Sequence, residues 1–144
     1  MGMPNTHKVR HKARTDDMAV VREFFTAGYI DHDYDRVMDL VAQDYVDHSP
    51  AGARSNADAV GILRVVEVMF DDLRLTFEDV FADGAMVSTR IRYEGHQIGE
   101  CCGVVPTGRR IALEALENFR VVDGMIVESW GYWPEAQIVA MPTE

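Results

Sequence analysis

The residues able to move protons near neutral pH fall at a few positions: Asp47 and His48 in the corner Tyr45-Val46-Asp47-His48-Ser49-Pro50, His96 between Gly95 and Gly99, and Glu114, Glu128 and Glu135 toward the C-terminus. An imidazole titrates near neutrality, which suits His48 to abstracting a proton α to a carbonyl. His48 is equally readable as a corner histidine satisfied by backbone, with Asp47 and Ser49 forming the turn. Cys101 and Cys102 are adjacent, match no four-ligand zinc spacing, and read as free thiols on opposite faces of a strand.

Charge narrows the partners. The net charge is -10, yet Lys8, Arg10, Lys12 and Arg14 all fall within the first fourteen residues, where no acidic residue occurs. The body is therefore more acidic than the total, which argues against nucleic acid as a partner. No glycine-rich loop precedes a helix to cradle a phosphate, so a neutral or weakly acidic apolar or aromatic ligand is expected. No run approaches the roughly 18 apolar residues of a membrane span, and no apolar signal segment opens the chain. The expected location is the cytoplasm, also because the two cysteines form no loop-closing framework.

Elements that must position these residues are legible from periodicity. A basic leader over 1–14 precedes a single domain over 15–144. Met18, Val21, Phe25 and Tyr29 recur at helical spacing behind Thr15, a residue suited to an N-cap. Tyr34, Val37, Met38 and Val41 predict a second helix from Asp33, and Ile62, Leu63, Val66, Met69 and Phe70 predict a third from Ser55 or Asn56 to about Asp71. The period then changes to two. Leu73, Leu75 and Phe77, then Val87, Thr89, Ile91 and Tyr93, alternate with polar residues. Asp83-Gly84 and Asp123-Gly124 mark hairpins, and Val105-Pro106-Thr107-Gly108 joins a strand around Glu100 to a long one from Arg110 to Val122. Helices followed by an antiparallel meander predict an α+β fold: a curved sheet wrapped on about three N-terminal helices, enclosing a cavity.

Several segments share one resemblance. Gly95-His96-Gln97-Ile98-Gly99 with Gly103 and Pro106-Thr107-Gly108-Arg109, Asp47-His48-Ser49-Pro50, Phe119-Arg120 with Asp123-Gly124, and Ile126-Val127-Glu128-Ser129-Trp130 occur in order. Together they resemble the SnoaL-like polyketide cyclases of the nuclear transport factor 2-like superfamily, over roughly residues 18 to 140. The resemblance implies a cone with an apolar pocket, assembled as a homodimer or homotetramer, that uses no metal and no organic cofactor. It also implies ring closure by intramolecular aldol condensation, with an Asp shortly after the final Trp as base. That position falls at Pro134, which accepts no proton, and Glu135 follows it. His48 lies near the place where ketosteroid isomerases, a sister branch, hold their Asp base. An Asp-Arg-Asp water site of the epoxide hydrolase kind is not found.

The expected catalytic set is therefore His48 as base, His96 to orient or polarise a carbonyl, and Glu135 as a weak substitute. Asp47, Tyr29, Glu114, Asn118, Trp130 and Trp133 are the expected ligand contacts. His96 carries a conflict: strict alternation from Val87 to Tyr93 places it on the polar face with Arg90 and Arg92, whereas the resemblance turns it inward through a bulge at Gly95. A non-catalytic binder of a hydrophobic metabolite is the alternative to an enzyme.

Overall fold

The computed structural model describes residues 17–142, so the basic leader and Thr15 lie outside it. The first helix, α1 (residues 17–25), runs on into a π-helical turn, Thr26–Ile30. Helix α2 (Tyr34–Leu40) begins at Asp33, whose carboxylate accepts the Arg36 N–H at 3.2 Å. Helix α3 (Asn56–Met69) begins at Ser55, whose hydroxyl accepts the Asp58 N–H at 3.0 Å, while the Asp58 carboxylate reaches back to the Arg54 N–H at 2.9 Å. This reciprocal cap satisfies donors that a helix start leaves unpaired.

Five strands follow the sheet order β1-β5-β4-β3-β2: β1 (Val41–Asp47), β2 (Phe70–Asp83), β3 (Met86–Gln97), β4 (Arg110–Val122) and β5 (Met125–Tyr132). Strands β2 to β5 form the expected antiparallel meander, and β1 joins β5 in parallel. Register irregularities between Asp71 and Arg74 and between Phe77 and Asp79 lie in β2, where bulges bend a strand and increase its twist. The inner face carries Val87, Ile91 and Tyr93 of β3 and Ile111, Leu113 and Phe119 of β4, packed on Val21, Phe24 and Phe25 of α1 and on Leu63 and Val66 of α3. Phe25 and Phe119 meet edge to face with centroids 5.5 Å apart, and Tyr29 meets Tyr93 in the same way at 5.5 Å. Rings thus fill much of the interior that the sequence predicted to be hollow.

Several elements differ from expectation: Val41 opens β1 instead of ending α2, and Phe70 opens β2 instead of ending α3. The segment around Glu100 is not a strand; its only pairing among the described residues is a bridge between Cys101 and Val104. The Ile98 and Gly99 N–H groups both donate to the Met69 carbonyl at the end of α3, which pulls this segment away from the sheet ladder. A short helix, α4 (Glu135–Ala140), closes the chain with Ile138 fully buried. Among the described residues no helix is long and apolar enough to cross a membrane.

The aromatic packing predicts where stability resides. Phe119→Ala, at a fully buried ring, is expected to lower unfolding stability by about 3–5 kcal/mol in denaturant titrations. Phe81→Ala, at a ring that is 61% exposed, should change it by less than about 0.5 kcal/mol.

Candidate active site within the cone

Strand parity decides which candidates face the interior. The β3–β4 register runs unbroken from Met86 opposite Arg120 to His96 opposite Arg110, with no bulge at Gly95. His96 therefore follows the alternation and is exposed on the outer face. The glycine has another reason to be there: a Cβ on Gly95 would stand 3.0 Å from the Asp71 carbonyl oxygen and 3.3 Å from the Leu73 Cα, where the bulged start of β2 crosses close.

His48 also lies outside. Its N–H donates to the Ser129 carbonyl at 2.8 Å, its ring stacks on Trp130 at 4.9 Å, and its Nε2 stands 2.8 Å from the Glu128 carboxylate. Arg120 completes this outer group, bonding Glu128 at 2.9 Å and lying 5.7 Å from the Trp130 ring. The hydrogen bond with His48, and after it that from Arg120, holds the Glu128 carboxyl below its usual range. Glu114 is exposed on the same face and bonded to Arg90 at 3.0 Å, and Asn118 accepts the Ser88 hydroxyl at 2.8 Å. Glu135 opens α4 exposed to solvent. The expectation that both histidines enter one cavity does not hold in this structure, and Glu114, Asn118 and Trp130 are not in the interior either.

Asp47, Tyr29 and Trp133 do face inward, and with them a residue the sequence reading passed over. Glu117 occupies an inward position of β4 between Ala115 and Phe119. Its register partner on β5 is Gly131, where a Cβ would meet the Glu117 side chain at 2.7 Å, so only glycine leaves room for the carboxyl group. Glu117 is half-buried, and no hydrogen bond to its carboxyl group occurs among the described residues. Burial, and secondarily the negative charge of Asp47, push its pKa up to about 8.

Asp47 is held differently. Its Oδ1 accepts the Ser49 N–H at 2.8 Å and the Ser129 hydroxyl at 3.3 Å, and its Oδ2 accepts the Ser49 hydroxyl at 2.7 Å. Because the Ser129 proton is committed to Asp47, the Tyr45 hydroxyl is the donor in its 2.5 Å contact with Ser129. Burial raises the pKa values of the Tyr29, Tyr45 and Tyr93 phenols, and the Glu117 charge adds to each shift. These phenols are therefore hydrogen-bond donors at neutral pH. Trp133 packs on Tyr93 at 5.3 Å and on Phe70 at 6.1 Å.

Open space lies beside this group rather than over it. A cleft of about 370 Å³ has Tyr29, Leu63, Val66, Phe70 and Leu73 as its floor and His32, Glu67, Asp71 and Asp72 at its rim. Neither Glu117 nor Asp47 lines it; Tyr29 is the wall between the cleft and the inner polar group. A second gap, under Trp133 and against Tyr93, has no room for a water molecule. No group of three or more metal-ligating side chains occurs among the described residues.

Comparison with known proteins bears on this arrangement. Among solved structures, IdmH from Streptomyces antibioticus, a candidate polyketide cyclase, is 28% identical with a TM-score of 0.76, over 86% of this chain and 96% of that one. AclR from Streptomyces galilaeus, a candidate hydroxylase, is 27% identical with a TM-score of 0.75, over 90% of this chain and 99% of that one. A candidate SnoaL-like polyketide cyclase from Jannaschia sp. CCS1, 21% identical with a TM-score of 0.80 over 90% of this chain and 95% of that one, shares the fold. A comparison with curated protein sequences gives no match. The profile of the SnoaL-like polyketide cyclase family matches residues 19–140, and the chain belongs to that family.

Proposed function

We propose that this protein is a cofactor-independent acid/base enzyme of the polyketide cyclase type, acting on an apolar carbonyl compound, with Glu117 as the proton-exchanging group. The observation that carries this reading is a carboxyl group on the inner sheet face, free of hydrogen bonds from the described residues and set opposite a glycine. A group that titrates near the working pH is the best compromise between being in the right protonation state and transferring a proton readily. Ionised Glu117 takes a proton from the carbon next to a carbonyl. The neutral phenol of Tyr29 or Tyr93 donates to the oxygen that gains negative charge. The enolate so formed attacks a second carbonyl of the same molecule in a ring closure, or is reprotonated by Glu117 in an isomerisation. Burial, and after it the charge of Asp47, keeps the Glu117 proton affinity high.

The filled interior favours a second reading, a binder of hydrophobic metabolites without turnover. The two readings separate in one experiment. With an apolar β-diketone as probe in deuterated buffer, Glu117→Gln is expected to slow exchange of the α-hydrogen on the order of a hundredfold or more while probe affinity changes little. His48→Ala, on the outside, should leave exchange within about threefold. Wild-type protein that binds the probe and does not exchange it supports the binding reading instead.

Assembly follows from the other face of the sheet. Leu116 and Tyr132, register partners on the outer face, are 66% and 67% exposed, and Phe81 is exposed on the same face. We therefore extend the proposal to a symmetric homodimer through this face. Light scattering should return about twice the chain mass of 16.2 kDa, and Leu116→Glu should return the chain mass.

The elevated Glu117 pKa also shapes stability. The unfolded carboxyl ionises near 4.5 and the folded one near 8, so between these values the folded state binds more protons. Stability from this group is complete below pH 4.5 and is lost as pH rises toward 8. Glu117→Gln should remove that loss, so denaturant midpoints of wild type and variant should diverge in favour of the variant from pH 5 to pH 8. Parallel midpoints across that range would refute the assignment.

A further inference from the structure

We infer that Cys101 and Cys102 form an oxidation site, a vicinal dithiol that a peroxide closes into a disulfide between neighbouring residues. In a regular strand adjacent side chains point to opposite faces, which would keep the two sulfurs apart. Here Cys101-Cys102-Gly103-Val104 is a tight turn, closed by Cys101 N–H to Val104 O at 3.1 Å and Val104 N–H to Cys101 O at 2.9 Å. Its central residues have φ of +57° and +78°, the pattern of a type I′ turn that favours Asn, Asp or Gly at the position Cys102 occupies. A side chain with a Cβ costs about 1–2 kcal/mol in that backbone region. The conformation brings the two Sγ atoms to 3.3 Å, with Cys101 buried and Cys102 partly exposed.

A second observation lies beside the pair. Arg109 is 2% exposed; its Nε donates to Gln97 Oε1 at 2.6 Å and its Nη1 to the Met141 carbonyl at 2.9 Å, while its Nη2 has no hydrogen-bond partner among the described residues. The Gln97 amide nitrogen in turn holds the Gly99 and Val104 carbonyls at 2.9 and 2.8 Å, fixing the turn in place. Burial pushes the Cys101 thiol up to about 12, with the contact to Cys102 adding to the shift and the Arg109 charge opposing it. Arg109 is thus a buried cation with spare donor capacity, acting on the sulfur whose negative character must rise during ring closure.

The chemistry balances with one equivalent of hydrogen peroxide. The accessible Cys102 sulfur attacks one peroxide oxygen, the O–O bond breaks, and a sulfenic acid and water result. The Cys101 sulfur then displaces the sulfenic hydroxyl, which leaves as a second water carrying the Cys101 proton, and the S–S bond forms. Two thiols lose two electrons and peroxide gains them. Neighbouring Cα atoms stand about 3.8 Å apart across a trans peptide, short of the roughly 4.4–6.8 Å of ordinary disulfides. The ring is accordingly strained and open to reduction by a monothiol such as glutathione.

The test uses the full chain, reduced, then treated with stoichiometric hydrogen peroxide, alkylated with iodoacetamide and digested with trypsin. Cleavage after Arg92 and Arg109 releases residues 93–109 with both cysteines, and the chain contains no others. The expected result is a peptide 2 Da lighter than the dithiol, unalkylated, from a protein that stays unlinked to other chains and recovers both thiols in millimolar glutathione. In Cys101→Ser, Cys102 should accumulate as a sulfenic acid that dimedone traps. Alkylation of both sulfurs after peroxide, gain of two or three oxygens on Cys102 beside an alkylated Cys101, or a disulfide-linked dimer would each overturn the inference.

Discussion

A carboxyl group on the apolar face of a sheet is an expensive thing to bury, and the way this fold accommodates Glu117 determines the character of its interior. Charge in a low-dielectric setting is resisted, so the proton stays on to an unusually high pH. The neighbouring strand gives up a side chain at Gly131 to make space. Asp47, the second inner carboxylate, takes the opposite course: a backbone N–H and two hydroxyls solvate it by hydrogen bonding. Of the two inner carboxyl groups, one is thus left without a hydrogen bond from the described residues and the other is held by three.

A second constraint governs the irregular segment and the end of the chain. Residues 98–109 belong to no strand, and their Gly99 and Val104 carbonyls need donors that the sheet ladder does not supply. Gln97, fully buried at the end of β3, supplies two of them, and Arg109 passes the connection on to Met141. That link seats the C-terminal segment, so that Trp133 covers Tyr93 and Phe70. The wall of the inner site is therefore held by contacts made well away from it.

Local signals read well and non-local ones did not. The Asp33 and Ser55 caps, both Asp-Gly hairpins and the long β4 strand are short-range physics, and they stand as the sequence predicts. His96 shows alternation prevailing over resemblance: the parity of β3 places it outside, and the Gly95 that suggested a bulge answers instead to the close approach of β2. Glu117 was legible by the same parity. Ile111, Leu113, Ala115, Phe119 and Val121 share its phase, and an acid in that phase is the anomaly that marks an inner polar site. The parallel pairing of β1, the detour at Ile98 and Gly99, and the inward turn of Trp133 depend on partners far away in sequence, for which no period or turn residue is a sign.

The placement of the two histidines has a consequence for how the sheet divides its work. His48 is tied to Trp130 and Glu128, and Arg120 joins the same group, so the outer face is a lattice of stacked rings and ion pairs that runs on through Arg90, Glu114 and Arg92. Such exposed pairs add little stability individually, but their alternating charge sets which surface can meet them. The inner face carries few ionisable side chains, Glu117, Asp47 and the buried Arg109 among them. In a sheet one residue's step in sequence is a change of face, so a family can exchange residues on the outer face without disturbing the inner one. The Asp47-His48 corner is divided by the same step: Asp47 reaches the interior and His48 the outer face.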